Sequence, residues 1–422
     1  MIKYFLSVSV FFLSLGFAQA QNQTSISSHP IQKGFGVNIH FTIPRPGELK
    51  MIADAGFKWI RMDITWSEIE KEKGVYDFSE YDILLNGLNQ FNLKAILILD
   101  YGNKYYDNGM APHSPEAIEA FTKWATAAVR RYAGNDILWE MWNEPNGMWE
   151  PKDDVDAYIR LALATGKSIK KVAPTEVYMG PATSGVPLWF LEACFKAGLL
   201  KYWDAVSLHP YRSERGDPET VSINYHQVRQ LISRYAPSGK TIPIISSEWG
   251  YSSAWIEYGY TPEKQGRNLA RSFLMNLSED IPVSIFYDWH DDGVDADSTK
   301  PIDANHFGTV ENRYYPNREP VYNPKPAYLA AKTLINTLEG YHFDKKIPTN
   351  NKDHYILSFR KGKKIRLVAW TTQQSETFLL TTFKGRFKVY DYVGKKLPNI
   401  KGDKNGLNIT LTNEPQYFIP FK

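Results

Sequence analysis

Eight short β-rich runs, each followed by a helical pattern, constrain this chain more than any other feature. The runs are FGVNIHF (35–41), WIRMDI (59–64), KAILILD (94–100), ILWEMWNE (137–144), EVYMGPAT (176–183), AVSLHPY (205–211), PIISSEWG (243–250) and VSIFYDWH (283–290). Between them lie helical patterns. SPEAIEAFTKWATAAVRRYAG (114–134) has proline just inside its start, glutamate in its first turn, apolar positions at helical spacing, and arginine then glycine at its end. DAYIRLALATGKSIKKVAP (156–174) has the same form. Strands alternating with helices point to a parallel sheet with crossover connections. Eight is the number that closes a (β/α)8 barrel, and ~300 residues suits one. A doubly wound open sheet is the runner-up, but no glycine-rich phosphate loop follows any run.

The texture changes after Gly340. KPAYLAAKTLINTLEG (325–340) reads as the last helix, and the segments beyond it are β-rich with frequent turn signals. The expected fold is therefore an α/β TIM barrel over residues 21–340, with a small antiparallel β-sandwich over 341–422. A hydrophobic fraction of 43% supports a sizeable core, and a net charge of +3 is mild. Lysine and arginine are scattered rather than gathered in a stripe, which argues against nucleic acid as a partner.

The first twenty residues read as a secretory signal peptide. Lys3 precedes an apolar run that ends in Ala-Gln-Ala at 18–20, so cleavage is expected after Ala20. The run is short of the ~20 apolar residues a membrane span needs, and no cysteine follows the cleavage point to carry a lipid. A periplasmic or secreted protein with no membrane anchor is expected, working as a monomer. Cys194 is the only cysteine, which excludes an intrachain disulfide and a cysteine-based metal cluster.

In a barrel of this kind, reactive residues sit at the C-terminal ends of strands. Those ends carry His40, Arg61, Asp63, Asp100, Asn143, Glu144, His209, Tyr211, Glu248, Trp289 and His290. Two of them are glutamates beside tryptophans: Glu144 follows Trp142, and Glu248 precedes Trp249. Two carboxylates facing an aromatic-lined cleft suit glycoside hydrolysis. An apolar wall is expected to raise the pKa of Glu144 and keep it protonated, while cationic and hydroxyl neighbours keep Glu248 ionised.

WNEP closing the fourth run and SEWG closing the seventh resemble glycoside hydrolase clan A, the retaining (β/α)8 enzymes. RMDITWSEIEKEKGVYDFSEYD (61–82) and FGTV…KPAY (307–328) are similar to it as well. Within the clan, family 39 is the nearer likeness because of the appended sandwich, with family 5 next. The resemblance implies that Glu144 is the acid/base and Glu248 the nucleophile. It also implies that Asn143 binds sugar, that Arg61, His209 and Tyr211 bond to the nucleophile or nearby sugar, and that Trp289 floors the cleavage subsite. His40 is a further substrate-binding candidate. Trp66, Trp149 and Trp255 are either sugar platforms or loop anchors.

The expected reaction is double displacement on an oligo- or polysaccharide, with the two carboxyl groups about 5–5.5 Å apart and no cofactor. The alternative is a carbohydrate-binding protein that has lost hydrolysis. DDGVDADS (291–298) hints at calcium through its spaced aspartates but lacks the glycine and terminal glutamate of an EF-hand loop, so no metal is expected.

Overall fold

The computed structural model describes residues 34–149, 154–212, 216–295 and 301–422. The signal peptide expected over 1–20 lies outside them. Eight parallel strands close a barrel in chain order: β1 Phe35–Asn38, β2 Trp59–Thr65, β3 Lys94–Asp100, β4 Leu138–Met141, β5 Val177–Ser184, β6 Ala205–His209, β7 Ile244–Gly250 and β8 Ser284–Tyr287. β1 pairs with β8, so the sheet has no free edge.

Two of the helices between strands begin where their sequence signals say. Pro115–Tyr132 opens on Ser114, whose hydroxyl accepts from the Ala117 amide at 3.2 Å, with proline in the first turn. Val155–Val172 opens on Asp154, whose carboxylate accepts from the Ala157 amide at 2.8 Å. Their buried faces, such as Phe121, Trp124 and Val129, join one continuous apolar layer wrapped around the strands.

Inside the barrel, side-chain alternation sorts residues by height. Trp59, Arg61 and Asp63 share one face of β2, and register carries that face across to Ile96 and Ile98 on β3 and to Leu138 and Glu140 on β4. The lowest rung is an apolar plug that includes Trp59, Ile96, Leu138, Met179, Ala205 and Ile245. The rung above it is polar, with Arg61, Glu140 and His209 all buried. The barrel is thus a packed core with a charged layer towards its C-terminal face.

The C-terminal domain is two facing antiparallel sheets. Its strands are β9 His342–Lys346, β10 His354–Lys361, β11 Lys364–Thr371, β12 Glu376–Leu380, β13 Gly385–Tyr390, β14 Lys396–Gly402, β15 Leu407–Leu411 and β16 Gln416–Phe421. Six form one sheet in the order β14-β13-β16-β11-β10-β9, and β12 pairs with β15. Ile356, Leu367, Ala369, Phe387, Ile409 and Phe418 fill the space between them. Alternate residues on the large sheet, among them Leu357, Phe359, Val368 and Trp370, point the other way into the barrel's own apolar layer.

Candidate active site

Arg61 is the hub of the upper rung. It is 1% exposed, yet every nitrogen of its fork has a partner. Nε donates to Glu140 Oε2 at 2.7 Å, and Nη1 donates to Glu248 Oε2 at 2.7 Å and Asn38 Oδ1 at 3.1 Å. Nη2 donates to Asn143 Oδ1 at 2.8 Å and meets His209 Nε2 at 3.1 Å. Burial alone destabilises a charged guanidinium, but the facing carboxylates Glu140 and Glu248 outweigh it and hold the charge firmly. Burial likewise pushes Glu140 up, and Arg61 reverses this to leave its carboxyl below the ordinary range.

The contact between Arg61 and His209 sets a tautomer. Arginine can only donate, so His209 Nε2 accepts and the ring proton sits on Nδ1. Nδ1 then donates to Glu144 Oε1 at 2.9 Å. Glu248 receives a second bond, from the Tyr211 hydroxyl to Oε1 at 2.9 Å. Each oxygen of Glu248 is therefore fixed by a different donor. One carboxylate oxygen of Glu144 and one of Glu248 lie within 4.8 Å of each other and of a His209 nitrogen.

The turn that presents Glu144 follows β4 and is held in an uncommon backbone form. Trp142 and Glu144 have φ of 65° and 48°, in the left-handed region that ordinary residues rarely adopt. Each such residue costs about 1–3 kcal/mol and persists only where the surroundings over-determine it. Here the Glu144 amide donates to Ala182 O at 2.9 Å, and the Trp142 amide to Leu99 O at 3.2 Å.

The expected protonation of Glu144 is corrected by this geometry. Burial does push its carboxyl up, as its tryptophan neighbours suggested, but the bond from His209, one from Ser184 and the field of Arg61 bring it below the usual carboxylate range. The sequence placed Glu144 beside Trp142. It did not show that His209, 65 positions away, would bond to it.

Trp289 is also corrected. β8 ends at Tyr287, and Trp289 lies beyond it, 1% exposed, with its indole nitrogen on Glu48 Oε1 at 3.1 Å and its ring against Tyr322 and Tyr328. It offers no face to a ligand. The half-buried ring at the end of β8 is Tyr287, which meets His40 edge-on at 5.5 Å. Trp66, Trp149 and Trp255 are buried among other rings and serve as loop anchors.

Of the other candidates, Asn143 joins Arg61, while His40 stands apart on the rim, with Nε2 3.5 Å from Asp288 Oδ2. Burial pushes Asp288 up to about 8, with His40 opposing this and Asp292 adding to it. A groove of about 370 Å³ leads away from His40, lined by Thr42, Thr65, Glu68, Glu80 and Tyr81. Sequence reasoning missed Asn38, Glu140 and Tyr287. Glu140 carried a signal: a glutamate inside the buried run LWEM must have a cationic partner.

The cellulase family, described as glycosyl hydrolase family 5, matches residues 34–293, more than half of the chain. The chain belongs to glycosyl hydrolase family 5. It is thus a clan A glycosidase, and the match covers β1 to β8 of the barrel.

No curated protein matches this family 5 chain. Among solved structures it is similar to a family 39 glycoside hydrolase from the gut symbiont Bacteroides cellulosilyticus WH2, with a TM-score of 0.79, 23% identity, and 93% of this chain and 82% of that one covered. It is also similar to a monomeric β-xylosidase from Caulobacter crescentus CB15, with a TM-score of 0.64, 18% identity, and coverage of 93% and 97%. A third likeness is to a family 30 endoxylanase from Clostridium papyrosolvens C71, with a TM-score of 0.59, 12% identity, and coverage of 92% and 96%. At these identities the likeness is one of fold, and it extends over barrel and sandwich together. The family 39 likeness expected from the appended sandwich thus stands beside the family 5 match to the barrel.

Proposed function

We propose that this family 5 chain is a retaining glycoside hydrolase that cleaves an oligo- or polysaccharide. Glu248 attacks the anomeric carbon, and Glu144 gives a proton to the leaving oxygen. Glu144 then takes a proton from the water that releases the covalent glycosyl-enzyme. The observation that carries the reading is the spacing of the two carboxylates, whose nearest oxygens lie within 4.8 Å. Retaining enzymes hold the two carboxyl groups about 5–5.5 Å apart, whereas inverting enzymes hold them about 6.5–9.5 Å apart to seat a water. The donors on Glu248 also fit a nucleophile: Arg61 anchors one oxygen and Tyr211 orients the other.

His209 suits the base role of Glu144, because its bond favours the carboxylate form. The acid step needs that carboxyl protonated. A sugar that seals the cleft strips water from Glu144 and strengthens the burial that already opposes its ionisation. After Glu248 is esterified, the pair loses one negative charge, and Glu144 returns to the carboxylate the second step uses.

The leader-like residues 1–20 support export to the periplasm or medium, and the monomeric structural relative supports a single-chain enzyme. The names of the structural relatives make β-xylosides and xylan the first substrates to assay. Proton NMR of the first turnovers should show product of retained anomeric configuration. Glu248→Ala should be inactive, and azide should restore turnover with inversion, because the anion fills the vacated space. Inverted product from the parent protein would sink the reading.

A further inference from the structure

On the rim of the cleft, β1 and β8 lie side by side and bring together three groups that the reaction above does not use: His40, Asp288 and Asp292. One ligand atom from each lies within 4.8 Å of the others. His40 and Asp292 are exposed, whereas Asp288 is 1% exposed. Both carboxylate oxygens of Asp288 are buried without a hydrogen-bond partner. Such a group is costly to leave unmade and marks a missing contact. Among the described residues, no lysine or arginine bonds to Asp288 or Asp292. The nearby Lys325 is occupied by Asp291 Oδ1 at 2.7 Å.

The spacing is that of a coordination shell. His40 Nε2 and Asp288 Oδ2 are 3.5 Å apart, too long for a good hydrogen bond. Two ligands about 2.1 Å from a tetrahedral ion are about 3.4 Å from each other. Ligands about 2.1–2.4 Å from any one cation are at most about 4.8 Å apart. An imidazole with two carboxylates suits a first-row divalent ion better than calcium or magnesium, which prefer oxygen alone. The aspartates that hinted at calcium do not gather, since Asp295 accepts from His306 and the Ile302 amide while Asp291 holds Lys325. The other convergent trio, Glu144, His209 and Glu248, already has a cation, because Arg61 bonds to two of its members.

We propose that His40, Asp288 and Asp292 bind one first-row divalent cation such as Zn²⁺ at the rim of the cleft, with its remaining positions open to solvent. Its neighbour Tyr287, whose ring meets His40 at 5.5 Å, ends β8 beside β7, the strand that carries the proposed nucleophile Glu248.

The test is calorimetric titration of Zn²⁺ into the full chain, without a histidine tag and after chelator treatment. One ion per chain should bind. His40→Ala and Asp292→Asn change exposed side chains, so both should fold as the parent does, and each should weaken that binding at least about tenfold. Glu248→Gln should keep it. The proposal is overturned if the parent binds no Zn²⁺, if both rim variants bind as tightly as the parent, or if only Glu248→Gln loses the ion. None of these readouts depends on hydrolysis, so an inactive enzyme would leave the site still decided.

Discussion

His209 controls the pH behaviour of the proposed acid. It touches Arg61 on one nitrogen and Glu144 on the other, and its bond holds Glu144 below the ordinary carboxylate range against the push of burial. The kcat/KM profile reports the free enzyme, and the acid must be protonated, so activity falls as pH rises through the Glu144 pKa. Removing the bond leaves burial in place, and the pKa moves up. His209→Ala should therefore shift the alkaline limb of kcat/KM to higher pH, whatever it does to the maximum rate. A limb that stays put or moves down would show that another group sets it. Trp289 separates packing from recognition in the same way. Its indole is bonded to Glu48 and fully covered. Trp289→Phe should lower thermal stability by about 1–3 kcal/mol, because it leaves a buried carboxylate short of a donor, and KM for a glycan should stay unchanged. A raised KM with unchanged stability would restore Trp289 as a sugar platform.

The strands work by changing character along their length. On β3 the run from Ala95 to Leu99 is apolar and buried, and the strand ends in Asp100, which is 0% exposed. Burial pushes the Asp100 carboxyl well above its ordinary value, and Asp63 on the neighbouring β2 adds to the push. The folded state thus keeps a proton that the unfolded chain gives up near pH 4. With the folded pKa raised, stability is fully present below about pH 4 and declines as pH rises towards the folded value. Asp100→Asn imitates the protonated carboxyl and should remove that decline. Urea midpoints at pH 4, 6 and 8 would test this, and equal slopes in parent and variant would refute it.

At the scale of the molecule, the two domains share one apolar layer and one buried charge cluster. Glu219, just before the helix Val221–Tyr235, accepts from Arg271 Nε and Nη2 at 2.7 and 2.6 Å. It also accepts the indole N–H of Trp370 on β11 at 2.6 Å. A barrel carboxylate thus ties the barrel to the sandwich. Glu219→Gln leaves the buried Arg271 guanidinium with only the half-exposed Asp217, 3.1 Å from Nη2, as counter-charge and should cost up to about 3 kcal/mol. Because Leu357, Phe359 and Trp370 sit in the barrel's own layer, denaturant should still unfold both domains in one transition, at a lower midpoint. Two separate transitions in the parent would show that the sandwich is independent of the barrel.

The barrel was legible because alternation of strand and helix is a local property, written in residues a few positions apart. Pro115 inside a helix start, glycine after a helix end and the period of the apolar residues need no partner to be read. Glu144 and Glu248 were legible for the same reason, since each closes a run and sits beside tryptophan. What local order could not supply was how groups brought close by folding set one another's charge. Glu144 beside Trp142 predicted a raised pKa, and His209 from β6 reversed it. Glu140 and Asn38 gain meaning only through Arg61, which lies 79 and 23 positions from them. Trp289 sits two residues past the end of β8, and that short offset turns its ring from the cleft into the core. Hydrophobic periodicity is set by neighbours along the chain, whereas a buried charge is set by neighbours in space, and the closed barrel puts eight distant strand ends around one point.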